Sequence, residues 1–135
     1  MQMPDVSEVR QRLHRLLDEH RRLLEVAFEK APLWRGLVYR ARRRCGKPTC
    51  HCTRGELHAT TVLADRSSSR QRNLCLFGVD LKRFRAMTEA YREVRRRRAR
   101  AVKVEREILA LFDLLEATRR QDALERFGPL LRPPT

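Results

Sequence analysis

The sequence predicts an α+β protein: a long N-terminal helix, a three-stranded antiparallel β meander with a cysteine-rich loop between its first two strands, and a long C-terminal helix. Three observations carry that prediction. Apolar residues recur at three- and four-residue steps before residue 32 and again after residue 80, the repeat of an amphipathic helix. Between these stretches, short runs alternate in period two and are rich in β-branched residues. Glycine and proline total only 5 and 6 among 135 residues, too few for a sandwich of many short strands.

The first helix is expected over residues 5–31. Asp5 is placed as its N-cap, with Glu8 three residues on as in a capping box. Val6, Val9, Leu13, Leu16, Leu17, His20, Leu23, Leu24, Ala27 and Phe28 form one apolar stripe, and Pro32 stops it. On that stripe His20 reads as a packed or half-exposed side chain, not a ligand. Gly36 to Ala41 is the first strand, with Leu37, Tyr39 and Ala41 on one face and Val38, Arg40 and Arg42 on the other. His58 to Asp65 is the second strand, the polar run Arg66 to Arg70 a turn, and Gln71 to Val79 the third strand, with Cys75, Phe77 and Val79 on one face. These elements make the meander of residues 36–79.

Asp80 is placed to cap the second long helix, residues 80–117, whose stripe runs through Leu81, Phe84, Met87, Tyr91 and Val94 and resumes at Ala101, Val104, Ile108, Leu111 and Leu115. Arg95, Arg96, Arg97 and Arg98 cover every side of one turn between the two halves. At that turn the helix projects past its partner, breaks, or meets something negative. Residues 118–135 are expected as a short helix, Gln121 to Phe127, ended by Gly128-Pro129, and a loose tail. The whole chain, 1–135, reads as one domain.

The net charge of +14 is unevenly placed. Residues 1–31 are balanced, whereas residues 32–75 carry ten basic against two acidic side chains, and residues 92–106 eight against two. A concentrated excess of this kind suits a polyanion, nucleic acid before an acidic membrane surface. Basicity that serves only solubility is the plainer alternative. No run reaches the length of a membrane span, and the N-terminal residues lack a signal-peptide layout, so a cytoplasmic protein with reduced thiols is expected.

The densest chemistry lies at Arg42 to His58. Cys45, Cys50 and Cys52 fall within eight residues, and His58 follows. Zinc takes four thiolate and imidazole ligands in a tetrahedron, commonly from one short loop, so Cys45, Cys50, Cys52 and His58 are the candidate ligands of a structural Zn2+. Gly46, Pro48 and Gly55 are turn-formers, and the surrounding cations favour thiolates. The spacing C-x4-C-x-C differs from the paired C-x2-C knuckles of common zinc modules. A set of reduced thiols in a packed turn therefore stands as the alternative. Cys75 is a second candidate for the fourth ligand, although a buried small apolar side chain is its simpler role. His51 would have to point away from both neighbouring ligands and reads as exposed.

The stretch R-R-x-C-G-K-P-x-C-x-C-x-x-G-x-x-H, followed by a hairpin and a helix containing Tyr91-Arg92, resembles a family of short prokaryotic proteins described as a domain of unknown function. The resemblance covers residues 33–115 and is specific at Cys45, Gly46, Lys47, Pro48, Cys50, Cys52, Gly55 and His58. The family usually continues after its histidine with a Gly-Pro pair and an aromatic strand, where this chain has Ala59-Thr60-Thr61-Val62. It implies the layout above and a setting near transposase-like genes; it implies no activity.

The expected function is non-enzymatic nucleic-acid binding, DNA before RNA, in a mobile-element accessory role. Arg42, Arg43, Arg44, Lys47, Arg54, Arg70 and Arg72, together with Arg95 to Arg98, are expected to meet phosphates with little sequence preference. The alternative is an interaction module. In that reading the two long helices pair as a hairpin or as a coiled-coil homodimer, and the basic core docks an acidic protein. Catalysis ranks third. Glu56 is the one carboxylate in the loop, and no H-E-x-x-H frame, phosphate loop or nucleophile elbow is present.

Overall fold

A computed structural model describes residues 5–135. The element order is α1 (Val6–Leu24), β1 (Gly36–Arg43), β2 (His58–Asp65), β3 (Arg72–Cys75) and α2 (Gly78–Phe127), with short 3-10 turns at Glu25–Phe28, His51–Arg54 and Gly128–Leu130. The architecture is α+β: one helix, a three-stranded antiparallel sheet in the order β1-β2-β3, then a long helix. The described residues divide into two compact units. One joins the chain up to Phe28 with Arg97–Thr135, and the other is Glu29–Arg96.

In the first unit, Asp5 caps α1 by accepting a hydrogen bond from the Ser7 N–H (2.9 Å). The α-helix ends at Leu24, and the 3-10 turn that follows leaves Phe28 exposed, so the apolar stripe closes earlier than its sequence pattern suggests. Three side-chain contacts fix the antiparallel register of α1 against α2: Arg12 with Glu107 (2.8 Å), Glu19 with Arg100 (2.9 Å), and the Arg97 guanidinium on the Arg22 carbonyl (3.2 Å). Val9 and Leu16 are buried from α1, and Ala101 and Val104 from α2. The Arg22 carbonyl lies in the last turn of α1, where backbone acceptors lack intrahelical partners, so Arg97 satisfies one of them. Glu19 holds the Arg100 pKa above its ordinary value by hydrogen bonding and by charge.

α2 runs unbroken for 50 residues. It passes through the four arginines and through the break expected after residue 117, because no glycine or proline interrupts the chain between Val79 and Phe127. Thr118, a poor helix residue in isolation, bonds its hydroxyl back to the Leu114 carbonyl (2.9 Å). Gly128-Pro129 then ends the helix. Its start also differs from expectation. Gly78 takes φ 57°, the left-handed region open to glycine, and the helix begins there, which places Asp80 in the first turn beside Arg83 (3.6 Å). β3 consequently stops at Cys75. Leu76 turns inward and is buried, whereas Phe77 and Val79 are exposed and share no strand face with Cys75.

In the second unit, β1 pairs β2 from Gly36↔Asp65 to Arg43↔His58, and β2 pairs β3 from Val62↔Cys75 to Asp65↔Arg72. Val62, Leu63 and Ala64 on the central strand are buried, each of the larger two worth about 1.5–3 kcal/mol of hydrophobic stabilisation. Gly36 is needed where β1 begins: a Cβ there would lie 2.5 Å from the Ala64 carbonyl oxygen. Trp34 stacks edge-on with Phe84 of α2 (5.0 Å), and its backbone N–H reaches the Met87 carbonyl (3.2 Å).

Asp65, 1% exposed, closes this end of the sheet. It accepts hydrogen bonds from Trp34 Nε1 (3.0 Å), the Ser67 N–H (3.0 Å) and Arg72 Nη2 (2.9 Å). Bonds from Ser67, then from Arg72 and Trp34, outweigh desolvation and hold its carboxyl well below the usual carboxylate range.

Candidate metal centre and its basic rim

The opposite end of the sheet delivers the cysteine loop. β1 ends at Arg43, two residues before Cys45, and its register partner there is His58, the first residue of β2. The sheet itself therefore brings the first and last candidate ligands to one end of the molecule's second unit. Between them the chain makes two turns. The Cys50 N–H donates to the Lys47 carbonyl (3.2 Å), closing a β-turn with Pro48 at its second position, where proline's fixed φ is suited. The 3-10 turn His51–Arg54 follows, with Thr53 donating to the Cys50 carbonyl through both its N–H (3.2 Å) and its hydroxyl (2.7 Å). Gly55, φ 116°, ends that turn in a conformation a side chain would strain.

Cys45 Sγ, Cys50 Sγ, Cys52 Sγ and a ring nitrogen of His58 all lie within 4.8 Å of one another and can hold a metal ion. The shorter separations are 3.5 Å between Cys45 Sγ and Cys52 Sγ and 3.0 Å between Cys50 Sγ and His58 Nε2. A tetrahedral zinc with Zn–S near 2.3 Å sets its sulfurs about 3.8 Å apart; the two short separations fall below that edge, and the full set, reaching 4.8 Å, spans it. The cysteines are free thiols, and 3.5 Å is far from a disulfide bond length.

Backbone donors support anionic sulfur. The Lys47 N–H, two residues after Cys45, is the main cause holding the Cys45 thiol below its ordinary pKa, and the Cys45 N–H donates to Cys52 Sγ (3.4 Å). That second bond favours the Cys52 thiolate, but desolvation and the adjacent Cys45 and Cys50 thiols outweigh it and push Cys52 up. Cys52 is wholly buried, so three sulfurs crowd together where one of them has no water. A divalent cation would supply the charge such a group lacks.

His51 is exposed, as its position between two ligands suggests; it lies edge-on to His58 at 5.0 Å and 3.8 Å from Cys50 Sγ. Cys75 stands apart from the cluster. It pairs with Val62, four residues along β2 from His58, a separation of about 13 Å at strand rise. Cys75 is also exposed, not buried: it ends a four-residue edge strand that is exposed throughout.

The arginines expected on one basic face are divided by the sheet. Arg42 and Arg43 end β1, and Arg44, Lys47 and Arg54 lie on the loop, all exposed around the cluster. Arg70 and Arg72 lie at the far end of the sheet, across the full length of β2, where Arg72 is engaged with Asp65. On α2, Arg96 pairs with Glu93 (2.7 Å) and Arg97 bonds the Arg22 carbonyl, while Arg95 and Arg98 are exposed. One residue the basic pattern had not singled out belongs beside the rim. Arg40 is exposed and shares a strand face with Arg42, and its signal was the two-residue alternation along β1. Glu56 is exposed and outside the ligand set.

A three-stranded sheet that follows one helix and precedes another in the chain, with a Cys₃His cluster at one sheet end, defines an α+β protein carrying a candidate metal centre. The chain belongs to the family described as a domain of unknown function (DUF6788), whose model matches residues 6–86. That stretch takes in α1, the whole sheet, the cysteine loop and the first turns of α2. No curated protein and no solved structure matches the chain. Among the described residues, no helix is long and apolar enough to cross a membrane.

Proposed function

We propose that the chain is a non-enzymatic nucleic-acid-binding protein in which Cys45, Cys50, Cys52 and His58 hold a structural zinc. The observation that carries the reading is the convergence of those four ligand atoms at the end of the sheet where Arg42, Arg43, Arg44, Lys47 and Arg54 are also exposed. Four protein ligands complete a tetrahedron and leave no position for a substrate or a catalytic water, which supports a structural role over catalysis. The metal fixes the loop, and the loop carries the cations at defined positions. Phosphates of a DNA backbone are the matching partner, read with little base specificity because no recognition helix accompanies the rim. A mobile-element setting is part of the proposal only through the family resemblance at the cysteine motif.

The test is binding of labelled duplex DNA, with single-stranded RNA as comparison, by the zinc-loaded chain across a salt series. Five phosphate contacts predict a slope of log K on log salt of about −4 to −5. Replacing Arg42 and Arg44 by Gln is expected to flatten that slope by about 2 without altering metal content. A flat salt dependence, or no binding at low salt, overturns the nucleic-acid reading and leaves an acidic protein partner.

A further inference from the structure

The long helix α2 carries a second apolar line, distinct from the one that faces α1. Leu109, Phe112, Leu124 and Phe127 are large apolar side chains, and they are 54%, 58%, 62% and 52% exposed. At 100° per residue all four fall within about 60° of the line through Leu109 and Phe127. Glu116 and Arg120 lie on the same strip, between the two apolar pairs. The buried residues Ala101 and Val104, with half-buried Ile108 and Leu111, lie on the side that meets α1.

The order along this strip is self-complementary. Positions 109 and 127, 112 and 124, and 116 and 120 are each symmetric about residue 118. A second copy laid antiparallel across the strip places Leu109 against Phe127 and Glu116 against Arg120, each contact made twice, with Phe112 and Leu124 flanking the seam on its opposite edges. Asp122, Glu125 and Arg126 of this segment are engaged within the helix. Arg126 pairs with Asp122 (3.2 Å), and Gln121 bonds Glu125 (2.9 Å). Among the described residues, neither Glu116 nor Arg120 has an ion-pair partner.

We infer that α2 is a homodimerisation helix and that its occupant is a second copy of this chain, docked antiparallel along Leu109 to Phe127. Charge complementarity selects that occupant. An unrelated helix has no reason to present acid and base in the inverted order, whereas a two-fold copy does so by symmetry. The seam is about 27 Å long at helical rise, at the small end of specific interfaces, which predicts dissociation in the micromolar range.

The experiment is sedimentation equilibrium of the full metal-loaded chain, with helical content checked by circular dichroism. The expected result is a concentration-dependent dimer. Phe112→Ala with Leu124→Ala raises its dissociation constant by about tenfold or more. Glu116→Arg alone and Arg120→Glu alone each weaken the dimer, and the two together restore it, because the swapped charges meet again across the two-fold axis. A chain that stays monomeric to about 100 μM overturns the inference. So does a dimer indifferent to these changes, or one that the double charge swap fails to restore.

Discussion

The two ends of the three-stranded sheet both hold buried polar atoms, and they satisfy them from different sources. At one end, the Asp65 carboxylate finds all its partners within the chain: Trp34, the Ser67 backbone and Arg72. At the other, three thiols and an imidazole gather with one another, among them the wholly buried Cys52, and only two backbone N–H groups address the sulfurs. The first end is complete as a protein. The second can take its balancing charge from a metal ion. With zinc bound as proposed, a sheet this small is pinned at both ends, and only one pin depends on something from solution.

The largest effect expected from that difference is loss of metal. Chelation, or Cys52→Ala, removes the cluster's binding free energy, which for structural zinc amounts to about 10 kcal/mol at neutral pH. Amide exchange across residues 44–58 and at the adjoining ends of β1 and β2 should accelerate. The α1–α2 pair, held by its own contacts at Arg12, Glu19 and Arg22, should keep its protection. Uniform exchange in both units after chelation would break the comparison.

At the self-sufficient end, Asp65→Ala strands the Trp34 and Ser67 donors and should lower the melting temperature by about 5–10 °C while leaving metal content unchanged. Its pH signature follows from the depressed carboxyl. Stability from Asp65 is fully present above the unfolded carboxylate pKa near 3.9 and is lost as pH falls below it toward the lower folded value. Asp65→Asn should therefore flatten the acid limb of the stability curve. An unchanged acid limb would show that Asp65 is not the group that titrates there.

Smaller effects sharpen the same picture. Gly36→Ala forces a Cβ against the Ala64 carbonyl beside the Asp65 pin and should cost about 1–3 kcal/mol in denaturant unfolding. Cys75→Ser is expected to change stability by less than about 0.5 kcal/mol and metal stoichiometry not at all, since Cys75 is exposed and far from the ligands. A loss of metal in that variant would move the fourth ligand from His58 to Cys75.

What was legible in the sequence divides along the same line. The candidate ligands fall within fourteen residues, so local turns govern their meeting, and turn-formers such as Pro48 and Gly55 are visible as letters. β2 was readable from His58 to Asp65 because its β-branched run is bounded by a glycine loop and a serine turn. Asp65 itself gave no signal. Its partners come from three separate places in the chain, and only the folded sheet assembles them. For the same reason Arg72 read as one more phosphate contact, and the length of β2 between Arg70 and the cysteine loop went unseen. The stop of β3 turned on one glycine at positive φ, and the continuity of α2 on the absence of any breaker, which a fading apolar stripe had masked.

The most direct measurement of the central claim is zinc content of the purified chain together with a count of reactive thiols, before and after chelation. The account predicts one zinc per chain and one freely reactive thiol, Cys75, with Cys45, Cys50 and Cys52 becoming reactive only once the metal is removed. Four thiols reacting freely in a chain that retains no zinc would contradict it.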